Sequence, residues 1–148
     1  MRNLVIFGLV AACTILVASE SAMASGGGAG GPGKTKSRAR FVITNIEPAN
    51  GNGIAVWVRP PGTPVPNTLG QFRNQLIFIA PGTIRQTSKL KNGAYEVASF
   101  RAAALDGPDN LVITPAQINF LVRSDQTFNI NGNNINLNVN LATIQKTN

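Results

Sequence analysis

Residues 128–140 read FNINGNNINLNVN, and seven of these thirteen residues are asparagine. On both sides of Gly132 the asparagines alternate with Phe, Ile, Leu or Val. Alternation with a period of two is typical of a strand that buries one face. A two-residue loop at Gly132–Asn133, with glycine in its first position, suits a type II′ turn. The stretch therefore predicts a β-hairpin in which Ile130 lies opposite Ile135.

This register separates the two kinds of side chain. A loop at Asn131–Gly132 would instead place Ile130 opposite Asn133 and mix the faces, because a slip of one residue turns a whole strand over. We therefore expect an apolar face towards the core and an amide face outwards. The predicted amide face comprises Asn129, Asn131, Asn134, Asn136, Asn138 and Asn140.

Three roles are open for this amide face. The first is a solvated surface without function. The second is an assembly surface whose side chains form amide ladders between stacked strands. The third is a glycan-binding surface. Residues 134–142 contain no charged residue and no proline. Natural proteins use such residues to protect exposed edge strands from strand addition. The segment is therefore predicted to be an open sheet edge that a neighbouring subunit can extend.

Other segments with strand character precede this stretch. Residues 41–46, 54–59 and 75–80 are rich in β-branched or large apolar residues, which favour strands. We expect 75–80 (QLIFIA) to be a buried strand. Residues 60–68 contain four prolines, which cannot donate ladder hydrogen bonds, and are predicted to form an extended surface loop.

A second hairpin is predicted at Asn92–Gly93, the preferred sequence of a type I′ turn. A two-residue loop there would place Leu90 and Tyr95 on one face. Lys89 and Glu96 would lie opposite each other on the other face, as a favourable cross-strand pair.

These signals together predict an all-β fold, an antiparallel β-sandwich of about seven to nine short strands over residues 41–148. We leave room for one short helix near 115–122. Thr114 suits the N-cap, Pro115 the first helical position and Gln117 the third residue of a capping box. The residues that follow are strand-like in composition, and an α+β domain is the alternative fold.

The first residues have the layout of a secretory signal peptide. Met1–Arg2 supplies a positive charge, residues 4–17 are apolar, and Ala22–Ala24 forms a small-x-small cleavage site. The apolar run is shorter than the roughly 20 residues of a membrane span. We therefore predict a signal peptide over 1–24 and an exported protein, which is periplasmic, at the cell surface or extracellular. No transmembrane segment is expected after cleavage.

Cys13 allows a second interpretation of this segment. Val10–Cys13 resembles a bacterial lipobox, in which the cysteine is lipidated. Thr14–Val17 continues the apolar run, however, and a lipobox cysteine normally ends it. A lipoprotein anchored at Cys13 therefore remains the minor alternative. Cleavage after Ala24 would leave a chain without cysteine and hence without a disulfide.

Residues 25–40 are predicted to form a flexible arm before the folded domain. The arm begins with SGGGAGGPG, which cannot bury a core. Its basic residues are Lys34, Lys36, Arg38 and Arg40. One interpretation is salt-sensitive binding of an anionic polymer, such as an envelope polysaccharide or extracellular DNA, and the other is a solvated linker. No aromatic residue lies among these cations to stack on bases, so no specific nucleic-acid partner is predicted.

The residue inventory disfavours an enzyme. The chain has no histidine, which excludes Ser-His-Asp and Cys-His nucleophile systems and removes a usual zinc ligand. We predict no catalytic residue, no cofactor and no metal site. Asp106 and Asp109 are interpreted as a solvated turn rather than a calcium site. Trp57 is predicted to anchor the core, and a platform for a sugar ring is the alternative.

Two classes of function remain. The first is a secreted, non-enzymatic surface or matrix protein that self-associates through a β-sheet edge, like a fimbrial or biofilm subunit. The second is a periplasmic or extracellular module that binds an anionic polymer or glycan through the basic arm. An enzyme is the least favoured class.

Overall fold

The computed structural model describes residues 38–147, which form ten strands and three short helices. The all-β prediction with a short helix after Thr114 is confirmed. The predicted signal peptide and residues 25–37 of the predicted arm lie outside the described residues.

The strands are β1 Arg38–Ala39, β2 Phe41–Asn45, β3 Ile54–Arg59, β4 Leu76–Ile79, β5 Ile84–Gln86, β6 Leu90–Lys91, β7 Gly93–Arg101, β8 Ser124–Ile130, β9 Ile135–Val139 and β10 Ile144–Thr147. The helices are α1 Leu69–Arg73, a 3-10 helix Ala102–Leu105 and α2 Pro115–Leu121.

The strands form two four-stranded sheets and one two-stranded ladder. The first sheet has the order β10-β9-β2-β5, the second sheet has the order β4-β3-β7-β8, and β1 pairs with β6. The predicted antiparallel pairing holds for all of these pairs except β2 and β9, which run in parallel. A parallel pair needs a long connection, and here the chain between the two strands contains the whole second sheet.

Apolar side chains from both sheets meet in a first core. β2 and β9 bury alternate residues because successive side chains of a strand point to opposite faces. The buried members of this core are Ala39, Phe41, Ile43, Ile54, Val56, Ile79, Val97, Ile130, Ile135, Leu137, Val139 and Ile144. The sandwich is thus closed by the two inner sheet faces.

A second core lies on the opposite face of the second sheet, beneath the helices. β3 sends Ile54 and Val56 to the first core and Ala55 and Trp57 to the second. The continuous apolar run IAVWV is therefore that of a strand buried on both faces. The helices and the segment before α2 supply Leu69, Phe72, Leu105, Ile113 and Ile118. A helical layer thus covers the second sheet.

Helix α2 begins as the sequence predicts. The Thr114 hydroxyl accepts a hydrogen bond from the Gln117 backbone N–H at 3.3 Å, and Gln117 Oε1 accepts one from the Thr114 N–H at 2.9 Å. This reciprocal pair is a capping box, with Pro115 in the first turn. The strand-like residues that follow are helical because the helix places Ile118 in the second core.

The predicted hairpin at Gly132–Asn133 is wrong. β8 ends at Ile130 and pairs with β7, whereas β9 begins at Ile135 and pairs with β2 and β10. Residues 131–134 cross from one sheet to the other, with Gly132 at a φ of 93°. Ile130 and Ile135 approach the same core from opposite sheets, so the alternation of the sequence is kept. A period of two specifies which face is buried, but not which strand is the neighbour.

The predicted open edge at 134–142 is also wrong. Its strand β9 lies between β10 and β2 and is paired on both sides. The chain turns after Val139 and returns as Ile144–Thr147, which covers the edge that the sequence leaves uncharged. Protection by charge is unnecessary where a strand is enclosed in this way.

The hairpin predicted at Asn92–Gly93 does not form either. β6 pairs with β1, and β7 pairs with β3 and β8. Glu96 therefore faces Arg59 instead of Lys89, and its carboxylate lies 2.9 Å from Arg59 Nε. The ladders on both sides of β7 are longer than the predicted hairpin, and tertiary pairing overrides the local turn signal.

Candidate functional site

The asparagines predicted to form one amide face are divided between the two sheets. Asn129 lies on β8 opposite Ala94, and Asn131 lies in the connection after β8. Asn136 and Asn138 lie on β9, where they alternate with its buried residues and face outwards. The six residues therefore do not share one face, because their two strands belong to different sheets.

The remaining two asparagines support the backbone. Asn134 Oδ1 accepts a hydrogen bond from the Arg40 backbone N–H at 2.9 Å. Asn140 Oδ1 accepts from the backbone N–H groups of Ala142 and Thr143 at 2.8 and 2.7 Å, which shapes the turn into β10. These side chains are explained by local structure.

The outer face of the first sheet is nevertheless lined by uncharged side chains from all four strands. The register aligns Gln145, Asn138, Thr44 and Ile84 in one row and Thr147, Asn136, Val42 and Gln86 in the next. We call these two rows the outer amide face. Its members come from four separate segments, so the sequence motif identifies only two of them.

The folded domain begins earlier than the sequence predicts. Arg38–Ala39 pairs with Leu90–Lys91, and Ala39 is buried in the first core. Arg40 donates from Nη1 to Gln86 Oε1 at 3.1 Å. Residues 38–40 are thus part of the domain, although their composition resembles that of the preceding arm.

The basic residues of the predicted arm continue into a basic cluster on the domain. Lys34 and Lys36 lie outside the described residues. Arg38 is exposed and lies opposite the exposed Lys91, with Lys89 two residues away. Like charges that face each other across a ladder repel, and within residues 38–147 none of these three cations forms a salt bridge. We call Arg38, Lys89 and Lys91 the basic cluster.

The outer strands of the two sheets differ in charge. β5 carries Arg85 and β10 carries Lys146, both at positions that pair with buried residues of the neighbouring strand. β8 carries Asp125. Inward-pointing or exposed charges of this kind hinder the addition of another strand. β4 has the sequence LIFI and is the one outer strand of the described sheets without a charged residue.

β4 is more exposed than the sequence predicts. Ile79 is buried, but Leu76 and Ile77 are half-buried and Phe78 is 44% exposed. The prediction of a buried strand is wrong for Phe78 because β4 has a partner strand on one side alone within the described sheets. The strand combines high β-propensity with no charge and no proline, which is the composition of a segment prone to strand addition.

Trp57 is confirmed as a core anchor. The side chain is 3% exposed, and its ring makes an edge contact with Phe72 at 5.0 Å between centroids. Its Nε1–H donates to Gln75 Oε1 at 3.2 Å. The Arg59 guanidinium lies 4.1 Å from the ring centroid and covers it as a cation–π partner. The ring is therefore closed to a stacked sugar.

Four carboxylates of the described residues, those of Glu47, Glu96, Asp109 and Asp125, contact another part of the fold. Asp109 accepts from Arg73 Nη2 at 2.6 Å, which ties the loop before α2 to α1. Among residues 38–147, no three His, Cys, Asp or Glu side chains come together as a metal site would require. No helix in this part of the chain is long and apolar enough to cross a membrane.

A groove lies between the proline-containing loop and the end of α1. It has a volume of about 560 Å³ and is lined by Pro64, Val65, Pro66, Asn67, Gln71, Asn74 and Gln75. A smaller cavity of about 240 Å³ shares Asn74 and Gln75 and continues along β4. We call the larger cavity the amide groove. Its lining residues all lie within 64–75, and the sequence does not indicate the groove because it predicts no helix between the proline-containing loop and residues 75–80, where α1 forms.

In comparisons with known proteins, no protein-family model, no curated protein and no solved structure matched this chain.

Proposed function

We propose that this chain is an exported, non-enzymatic surface or matrix protein that acts by self-association through the β4 edge. The signal-peptide pattern of residues 1–24 supports export. The observation that carries the proposal is the contrast among the outer strands, since β5, β8 and β10 each carry a charge and β4 carries none. The β4 edge thus lacks the charges that hinder strand addition at the other outer strands of these sheets.

The partner that fits this edge is a second copy of the same strand. Two antiparallel β4 strands would join two four-stranded sheets into one continuous sheet related by a twofold axis. Phe78 of each copy would then be covered. Backbone hydrogen bonds contribute about 0.5–1.5 kcal/mol each, and association costs several kcal/mol or more. A weak dimer is therefore expected, strengthened where copies are concentrated on a surface.

We predict that Phe78→Lys weakens self-association at least about tenfold, because it places a charge in the joined sheet. Sedimentation velocity over a concentration series measures the dimer constant directly. Ile84→Lys is the matched control, since Ile84 is an exposed isoleucine on β5, which already carries Arg85. A wild-type protein that stays monomeric up to about 1 mM, or an equal loss in both variants, would contradict the proposal.

A second candidate function is the binding of an anionic polymer through the basic cluster and the preceding arm. The observation in its favour is the alignment of Arg38 opposite Lys91. Two like charges held in register cost stability, and a polyanion would offset that cost. Lys34 and Lys36 precede Arg38 in the sequence and would add to the positive charge available to a polyanion.

We predict that Arg38→Gln combined with Lys91→Gln weakens binding to dextran sulfate and lowers the slope of log K against log salt by about two, roughly one for each lost contact. Isothermal titration calorimetry at several salt concentrations measures both quantities. Arg123→Gln combined with Lys146→Gln removes the same net charge elsewhere and should leave the slope closer to that of the wild type. Equal losses in the two double variants would show that only net charge matters and would refute a localised site.

A further inference from the structure

The amide groove has the dimensions of a ligand site. Its volume of about 560 Å³ lies within the range of roughly 300–1,000 Å³ that small-molecule sites occupy. One wall is the loop with Pro64 and Pro66, and the other is formed by Gln71, Asn74 and Gln75 at the end of α1. The groove is shallow and open to solvent, so a chain can lie across it.

The polar groups of the groove are all neutral. The seven residues that line it within the described part of the chain are four carboxamides, two prolines and a valine, and none of these seven is charged. Hydrogen bonds within the described residues leave the side chains of Asn67, Gln71 and Asn74 unused, and Gln75 uses Oε1 towards Trp57 and keeps its NH₂ group. A carboxamide both donates and accepts hydrogen bonds, as does a sugar hydroxyl. A charged ligand would find no counter-charge there.

The amides are held by a rigid framework. The Asn74 N–H donates to the Gly70 carbonyl at 3.1 Å, and the Gln75 N–H donates to the Phe72 carbonyl at 2.9 Å. The Asn67 carbonyl accepts from the Ile113 N–H at 3.0 Å. These bonds fix the backbone beneath the groove, so less conformational entropy is lost on binding.

The apolar part of the groove complements these amides. Pro64, Val65 and Pro66 present ring and methyl carbons, and proline keeps a fixed backbone angle. A pyranose has C–H faces that pack on such carbons and hydroxyl edges that bond to amides. The smaller cavity beyond Asn74 and Gln75 provides room for further units of a chain.

We propose that the amide groove binds an uncharged oligosaccharide. This site is separate from the basic cluster and from the outer amide face, and it adjoins the β4 edge, because the smaller cavity is lined by Leu76 and Ile77. Because the groove has no exposed aromatic ring to stack on a sugar, the expected affinity is weak, with a Kd of about 0.1–1 mM.

The probes are cellohexaose, chitohexaose and maltohexaose, titrated to about 10 mM into the ¹⁵N-labelled protein. ¹H–¹⁵N correlation spectra report side-chain NH₂ groups directly, so each amide is its own sensor. We expect at least one probe to shift the NH₂ signals of Asn67, Gln71 and Asn74. The double variant Gln71→Ala and Asn74→Ala should weaken that probe at least about tenfold, and since both residues are exposed the fold should be unaffected.

The matched control is the double variant Asn136→Ala and Asn138→Ala on the outer amide face, which should bind the probe as the wild type does. Three outcomes would overturn the proposal. The first is that none of the probes shifts a groove signal. The second is that the shifts occur on Asn136 and Asn138 instead. The third is that a neutral Gly-Ser peptide binds the groove more tightly than any of the sugars. A monomeric wild type that still binds a probe would refute self-association and leave this proposal intact.

Discussion

Replacing Phe72 with alanine should lower the free energy of unfolding by about 3–5 kcal/mol. Phe72 is fully buried on α1, and its ring makes edge contacts with Trp57 and with Phe100, at 5.0 and 5.5 Å between centroids. Truncation removes both contacts and opens a cavity over the second sheet. β3 and β7 are paired on both sides, so they cannot move to fill it. The free energy of unfolding of a domain of this size is about 5–15 kcal/mol. Phe72→Ala would therefore remove a large share of the stability.

Chemical denaturation followed by fluorescence and far-UV circular dichroism measures this loss. Trp57 is the single tryptophan of the chain and contacts Phe72, so its emission reports on the helical layer. Phe120→Ala is the matched control, because Phe120 lies on α2 and is 85% exposed. That control should change stability by no more than about 0.5 kcal/mol. Similar changes in both variants would mean that the helical layer does not depend on the second core.

The second large effect is expected at Asn45, whose side chain is fully buried at the end of β2. Its Nδ2 donates to the carbonyls of Asn52 and Ile79 at 3.2 and 3.0 Å, and its Oδ1 accepts from the Glu47 N–H at 2.9 Å. The amide thus links the first sheet to β4 of the second. Asn45→Asp removes both donors and buries a charge beside two carbonyl oxygens, which should cost about 3–5 kcal/mol at neutral pH.

The cost of Asn45→Asp should depend on pH. Burial and the neighbouring carbonyls raise the pKa of the introduced carboxyl above its value in the unfolded chain. Between those two pKa values the folded state binds more protons, so stability falls as pH rises. The deficit relative to the wild type should therefore be largest near neutral pH and shrink as the pH is lowered through the raised pKa.

Urea unfolding at about pH 7 and about pH 4 tests this dependence. Asn136→Asp makes the same chemical change on the outer amide face, where the side chain is exposed. Asn136→Asp should lower the free energy of unfolding by no more than about 0.5 kcal/mol. This deficit relative to the wild type should not increase as the pH rises. A deficit at Asn45 that is the same at both pH values would argue against a buried, donor-dependent amide.

The proposed edge and groove would act together. Both lie next to the turn at Asn74–Gln75, which precedes β4. A dimer formed through β4 would carry two amide grooves, and two weak sites on one particle bind a repetitive polymer far more tightly than one. Such a dimer would cross-link neutral polysaccharide chains, as a matrix protein requires.

The sequence predicts local features well where a local cause is sufficient. Strand β3 has the predicted bounds, 54–59, because five apolar residues in a row need burial on both faces. Helix α2 begins at the predicted Pro115 because the capping box is complete within four residues. The alternation of 128–140 correctly assigns Ile130, Ile135 and Leu137 to the core.

The sequence does not predict which strands are neighbours. Two turn signals, at Asn92–Gly93 and at Gly132–Asn133, favour hairpins that the structure lacks. Strand β7 instead forms long ladders with β3 and β8, and β9 forms one with β2. A turn contributes a local preference, whereas each added pair of residues in a ladder contributes hydrogen bonds and burial. The summed stabilisation from distant pairs therefore determines which strands become neighbours.

The properties of the fold thus divide into those with a local cause and those that depend on which distant strands pair. By itself the sequence determined an all-β domain, its buried alternation, a capped helix and the absence of histidine, because these depend on residue type and short-range spacing. The tertiary structure alone decided that β9 is enclosed between β10 and β2 while β4 is left at an edge. These properties depend on contacts between segments far apart in the chain, and residue spacing carries no record of them.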